Sequence, residues 1–257
     1  MRVALKMQYT GISNSIDSDL NNFKRIIDML GIFPRGLYLN EAIDVARTEL
    51  HWECDYEREA TYQKAYREHL LKYPGEFYCP KVIDHLSTRT ILCSEFVDGR
   101  EIDTYMNESQ AVRNRIGELL IKLCFKELFE FKMMQTDPNP ANYLFDAKAS
   151  EKGVMNLLDL GAGRDFDDDF LDSYMQIIWG AYKDDRDSIL HHSTNIGFLT
   201  GEESKEMYNA HYTGTMIVGE PFRTEKGELY DFGVAGLTEK VYKILPTMSK
   251  HRLTPPP

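Results

Sequence analysis

Residues 134–146, M-Q-T-D-P-N-P-A-N-Y-L-F-D, set Asp137 and Asn142 five apart and stiffen the chain between them with Pro138 and Pro140. Asp-Pro and Asn-Pro steps favour turns, and Asn side chains bond their own backbone, so the stretch alone reads as a surface turn as readily as a site. Its surroundings narrow the choice. A long charged and apolar segment runs into it, and a second acidic stretch, N-L-L-D-L-G-A-G-R-D-F-D-D-D-F (156–170), follows it. There an apolar strand delivers Asp159 into the Leu160-Gly161 turn. A carboxylate so placed can hold Mg²⁺ against a phosphate, because the ion wants hard oxygen ligands and glycine removes steric bulk. Asp-x-Gly is also an ordinary turn, so neither stretch decides alone.

The chain has 257 residues, 42% of them hydrophobic, enough for a packed core in one large or two small domains. Its formal charge of −11 argues against a nucleic-acid binder that relies on general basicity. Cys54, Cys79, Cys93 and Cys124 form no C-x-x-C pair, so neither a zinc site nor a disulfide framework is expected. The longest apolar stretch, 115–134, is broken by Glu118, Lys122, Lys126, Glu127, Glu130 and Lys132, and no membrane span is predicted. No signal or transit peptide is recognisable, and both ends read as cut inside a domain.

Residues 2–9 read as a strand and 15–30 as a helix ended by Gly31. From Leu39 to about Leu71 the pattern predicts one long acidic amphipathic helix with Asn40 as cap. Two short strands are expected at Lys81–His85 and Thr88–Glu95. Helical periodicity then covers 108–132, 167–183, 184–195, 201–219 and 238–250, interrupted by a hairpin formed by N-Y-L-F-D-A and V-M-N-L-L-D-L-G-A-G.

Chain order joins the two acidic stretches. Asp137 and Asn142 have the D-x-x-x-x-N spacing of a kinase catalytic loop, Asp159-Leu160-Gly161 stands where D-F-G follows, and V-A-L-K places Lys6 on the first strand like the phosphate-binding lysine of V-A-I-K. The departures matter too. Gln135-Thr136 replaces the His-Arg that precedes the catalytic Asp, so no arginine stands there to read a phosphorylated loop. No A-P-E follows, and an extra helical segment separates Lys6 from the acidic helix, so a protein substrate is not expected.

The stretches V-A-L-K-M-Q-Y, E-L-H-W-E-C-D-Y-E-R-E-A, K-E-L-F-E-F-K-M-M-Q-T-D-P-N-P-A-N-Y-L-F-D, N-L-L-D-L-G-A-G-R-D-F-D-D-D-F, F-L-T-G-E-E and H-R-L-T-P-P-P together resemble the UbiB atypical kinase-like family, in particular its mitochondrial coenzyme Q members, over essentially the whole chain. The resemblance implies an α+β, two-lobe, atypical protein-kinase-like fold. A truncated small lobe with inserted helices would cover 1–97, and a mostly helical lobe with the catalytic loop and D-L-G would cover 98–257. It implies that Glu53 and Asp55 are the family's E-x-D pair and that Glu59 pairs with Lys6; Asp55 and Glu59, four apart, would share a helix face. Without the motif those carboxylates read as a solvated acidic face. Asp137 would be the catalytic Asp, Asn142 and Asp159 would hold Mg²⁺, and backbone groups of Glu95 and Val97 in S-E-F-V-D-G would bond adenine, a stretch that also reads as a plain strand-to-helix turn. The family's K-x-G-Q motif, alanine-rich nucleotide loop and two small-lobe strands would lie upstream of residue 1, leaving the E-x-D pair without its lysine partner.

The activity so implied is ATPase or small-molecule kinase chemistry with ATP or ADP and Mg²⁺, supporting ubiquinone synthesis at the matrix face of the mitochondrial inner membrane. Coenzyme Q biosynthetic enzymes and a membrane lipid or isoprenoid precursor would be partners. Two other readings stay open: a non-catalytic nucleotide-binding scaffold for the biosynthetic assembly, and a small-molecule phosphotransferase of the aminoglycoside or choline kinase type.

Overall fold

The computed structural model describes residues 2–30, 38–224 and 228–252. The helix stop assigned to Gly31 and the terminal L-T-P-P-P fall outside them. Contacts group the chain into two compact units, Met1–Ile26 with Ile43–Phe166, and Ile27–Ala42 with Asp167–Pro257. The lobe boundary expected at 97 and 98 lies inside the first.

The first unit opens with β1 (Val3–Met7), followed by α1 (Ile12–Leu30), which continues into the second unit. The single long helix expected from Leu39 to Leu71 is two: α2 (Leu39–Glu53) and α3 (Tyr56–Leu70). The break has a local cause. Asp55 takes a non-helical backbone conformation and its carboxylate accepts the Arg58 N–H, which caps α3 and ends the continuity that the apolar periodicity suggested. Asp55 therefore precedes α3 and does not share a helix face with Glu59.

After β2 (Phe77–Tyr78) the strand expected at Lys81–His85 is reduced to one bridge, Val82 to Ser94, followed by a 3₁₀ turn at Asp84–Leu86. The next strand is shorter than its pattern: β3 covers Ile91–Glu95 and pairs antiparallel with β1, with Lys6 opposite Leu92. Then come β4 (Arg100–Glu101) and α4 (Gln110–Lys126), which starts at the Ser109 cap. Helix 108–132 does not run straight through. A π turn at Glu127–Phe131 closes it, and Lys132 stops it in the left-handed region at φ 56°.

β5 (Met133–Gln135) leads into the Asp137 loop, and β6 (Tyr143–Asp146) and β7 (Val154–Leu157) form the expected antiparallel hairpin. The short β8 (Gly163–Asp165) returns to pair with β5, setting Gln135 opposite Gly163. β2, β7, β6 and β4 make one sheet in that order, with β2 parallel to β7. Its inner face packs on α3 and α4 through the buried Tyr66, Leu119, Leu123, Met155, Leu157 and Leu160. A smaller cluster of Tyr56, Ala60, Val82 and Leu92 seats α3 against β3.

The second unit is helical: α5 (Asp168–Lys183), α6 (Arg186–Asn195), α7 (Lys205–Val218), α8 (Phe232–Ala235) and α9 (Leu237–His251). Asp167, Asp185 and Ser204 cap the first three, which is why these begin one, two and four residues later than the apolar pattern alone would place them. Among the described residues no helix is long and apolar enough to cross a membrane.

Two features of the first unit can be tested. Gly153, in the β6–β7 turn, has φ 74°, and a methyl group there would run into the Phe145 ring. Gly153→Ala should lower stability by about 2 kcal/mol or more, seen as a lower urea midpoint; an unchanged midpoint would show that the turn relaxes freely. The second is Glu127, buried in the π turn, whose carboxylate accepts from Tyr66 Oη at 2.8 Å and from the Gln135 N–H at 3.4 Å. Burial pushes this carboxyl from 4.5 up to about 7, against the pull of those two hydrogen bonds. Between those values the folded chain holds a proton that the unfolded chain has released, so this group costs stability as pH rises from about 4.5 to 7. Glu127→Gln keeps the acceptor and removes the ionisation. From pH 4.5 to 7.5 the variant should lose ~1–3 kcal/mol less stability than the wild type by urea denaturation, and parallel pH profiles would refute the assignment.

Candidate functional site

Alternation along β1 turns Lys6 to the cleft side, and the cap at Asp55 sets the phase of α3 so that Glu59 meets it. Lys6 Nζ donates to both Glu59 oxygens at 2.8 Å and to Asp159 Oδ2 at 2.8 Å. Glu59 is 1% exposed, whereas the Lys6 and Asp159 side chains are each more than a third exposed. Burial, then the Asp159 charge, pushes Glu59 up to about 7, with Lys6 opposing. Burial pulls Lys6 down, yet the Glu59 and Asp159 charges and hydrogen bonds outweigh it and leave the ammonium above its ordinary value. The Lys6 ammonium also lies 5.3 Å from the centre of the Tyr56 ring.

Across the cleft, the turn stiffened by Pro138 and Pro140 folds Asn142 back on Asp137. Asn142 Nδ2 donates to Asp137 Oδ2 at 3.0 Å and to the Asp137 carbonyl at 3.2 Å. That fixes which way the amide faces and leaves its oxygen as the uncommitted end. Asp159 is held by its own turn, its Oδ1 accepting the Gly161 N–H at 3.0 Å. Lys6, Glu59, Asn142 and Asp159 thus line one cleft of about 350 Å³, together with Glu95 and Val97.

The E-x-D carboxylates separate. Glu53, at the end of α2, is raised by burial first and then by the charges of Asp159 and Asp137. Asp55 spends a carboxylate oxygen on capping α3. At the other end, the Glu95 side chain turns away: it accepts from Tyr78 Oη and from the Lys81 N–H, and these bonds, Tyr78 first, hold it below the usual carboxylate range. What Glu95 and Val97 bring to the cleft is a wall at the end of β3. A larger cavity, about 520 Å³, lies on the other side of that wall near Arg67, Phe77 and Tyr78 and contains none of the cleft's carboxylates except Glu95.

Sequence reasoning read Gln135-Thr136 as a loss. The structure gives the pair work: Gln135 Nε2 donates to the Asp159 carbonyl at 3.0 Å, and the Thr136 N–H and Oγ1 both reach the Ala162 carbonyl. The signal is the register of β5 with β8, which no local pattern of three-residue strands carries. Glu127 was missed for a different reason, since a glutamate among lysines in a helix reads as a solvated partner.

Among solved structures, the Rv3197–erythromycin complex from Mycobacterium tuberculosis superposes with a TM-score of 0.63 at 19% identity, over 96% of this chain and 66% of that one, which shows the fold. The Danio rerio atypical kinase COQ8B, mitochondrial, is 41% identical over 255 residues, 99% of this chain and 40% of that protein. The Caenorhabditis elegans atypical kinase coq-8, mitochondrial, is 42% identical over 257 residues, and the Saccharomyces cerevisiae atypical kinase COQ8, mitochondrial, 38% over 256. Those two alignments cover 99% and 100% of this chain but 34% and 50% of the relatives, so the chain spans half their length or less. Residues 1–193, which include every side chain of the cleft, match the ABC1 atypical kinase-like domain, and the chain belongs to that family.

Proposed function

We propose that this chain forms the nucleotide-binding body of a COQ8-type atypical kinase or ATPase that serves coenzyme Q biosynthesis in the mitochondrion. The observation that carries the reading is Lys6 Nζ bridging Glu59 and Asp159 at 2.8 Å in a cleft that Asn142, bonded to Asp137 beside it, also lines. With the lobe boundary at 97 and 98, the small lobe brings the cation and its buried carboxylate, and the large lobe brings the remaining oxygens.

Each role follows from chemistry available at that position. Lys6, fixed by Glu59, orients the phosphates; backbone groups of Glu95 and Val97 bond the adenine. Asp137 orients or deprotonates the attacking hydroxyl or water. The donor set suits Mg²⁺: among the described residues no cluster of three or more His, Cys, Asp and Glu could hold a metal by itself, while Asp159 and the Asn142 oxygen are hard ligands of the kind Mg²⁺ combines with nucleotide phosphates. When bound there the ion neutralises charge developing on the transferred phosphoryl group. Glu53 and Asp55 keep their E-x-D assignment, Glu53 as the member that senses the site's charge and Asp55 as the one that sets the α3 N-terminus. The biosynthetic enzymes, a membrane lipid or isoprenoid precursor, and the matrix face of the inner membrane belong to this proposal, and the relatives' names support its mitochondrial part.

MgADP and MgATP should raise the melting temperature of the wild type, by an amount equivalent to about 2.7 kcal/mol at a hundredfold excess over Kd. Asp159→Asn should abolish that shift; an unchanged shift would sink the metal role of Asp159. Phosphate release separates the enzyme from the scaffold. Release above background that falls by about 100-fold or more in Asp137→Asn, with nucleotide binding kept, supports catalysis; binding with only background release favours a nucleotide-occupied scaffold.

A further inference from the structure

An arginine does reach the metal loop, from a helix. Arg58 is the residue before Glu59 on α3. Its Nη1 donates to the Gly161 carbonyl at 2.6 Å and its Nη2 to the Gly163 carbonyl. The guanidinium is sandwiched between two aromatic rings, its Cζ 4.3 Å from the Trp52 centroid and 4.6 Å from the Tyr62 centroid. Gly163 permits the approach, because a methyl group on it would collide with the Tyr62 ring. Tyr62 is itself tied to this segment, its Oη donating to Asp165 at 2.8 Å.

With Arg58 counted, every carbonyl from Asp159 to Gly163 has a donor. Gln135 Nε2 serves Asp159, the Gly163 N–H serves Leu160 at 3.1 Å, Thr136 serves Ala162, and Arg58 serves both glycines. A guanidinium suits the task better than an ammonium. Its charge is permanent, its fork reaches two acceptors at once, and stacking keeps the plane from rotating away. In protein kinases the corresponding segment is ordered by a phosphate meeting an arginine, a condition that is switched on. Here the arginine's partners are backbone carbonyls, which are always present.

We infer that Arg58 is a positioning residue that clamps the Asp159–Gly163 loop in its metal-binding arrangement, so that the loop is ordered without phosphorylation. One turn of α3 then does two things: Glu59 fixes the lysine and Arg58 fixes the metal loop. The part of this inference that concerns metal rests on the nucleotide reading above.

The test combines amide hydrogen exchange with a Mg²⁺ titration of ADP binding, on wild type, Arg58→Met and Arg58→Lys. Arg58→Met should speed exchange in the segment 159–165 by about tenfold while the β6–β7 hairpin stays protected. It should raise the Mg²⁺ needed for half-maximal ADP stabilisation by about tenfold and leave ADP affinity in EDTA unchanged, a split that general loss of stability would not produce. Arg58→Lys, which preserves charge and reaches one carbonyl, should fall between, and it carries the test if Arg58→Met does not fold. Unchanged exchange and an unchanged Mg²⁺ midpoint in a folded variant overturn the clamp. A wild type that binds no MgADP overturns the nucleotide reading instead, and faster exchange in 159–165 of the variants would still support the clamp.

Discussion

A buried carboxylate that needs a cation organises the first unit. Glu59 lies 1% exposed at the start of α3, and an unpaired charge there would be strongly unfavourable. Lys6 supplies the partner, so the cost of burying Glu59 is offset when β1 meets α3, and the bond from Lys6 to Asp159 ties the loop after β7 to the same ammonium. Removing Lys6 would leave Glu59 as a buried charge without its cation, which is strongly destabilising. The raised position of Glu59, at about 7, shows that the compensation is incomplete: burial and the Asp159 charge together outweigh Lys6. A site of this kind keeps electrostatic strain in reserve, and the negative phosphates of a nucleotide would draw the same ammonium.

Much of this was legible in the sequence because it depends on spacing and order. The D-x-x-x-x-N turn, the D-L-G turn and the lysine strand each follow from local chemistry, and their order along the chain joins them. The hairpin that carries Asn142 on one side and Asp159 on the other was visible for the same reason, since alternation and turn residues agree there. What stayed hidden depends on registers and phases. A continuous apolar period across 39–71 concealed the Asp55 cap, because a cap is a backbone conformation and not a composition. Two- and three-residue strands such as β2 and β5 are held by neighbours distant in sequence and leave no pattern of their own. Gln135 looked like an absence until its β8 partner was known.

The family match covers 1–193, and the cleft draws on nothing beyond Asp159, so the whole site lies within the first unit. The helices from α5 onward contact one another, as Ser193 Oγ does with His211 Nε2 at 2.8 Å. The E-x-D pair shows how one motif can serve two physical ends: Glu53 sits in the field of the site's acids, while Asp55 gives α3 the start that aims Arg58 and Glu59.

The bond between Lys6 and Asp159 joins residues 153 apart in the chain. A ribosome adding about 5–20 residues per second makes the strand bearing Lys6 first and the loop that completes its contacts roughly 8–30 s later. Glu59 follows Lys6 by 53 residues, so for about two-thirds of that interval it stands beside a lysine whose second acid does not yet exist. Closure of the site is therefore a late event in synthesis of the first unit, and a translational pause before Asp159 would extend the life of an open intermediate with one face of β1 unsatisfied.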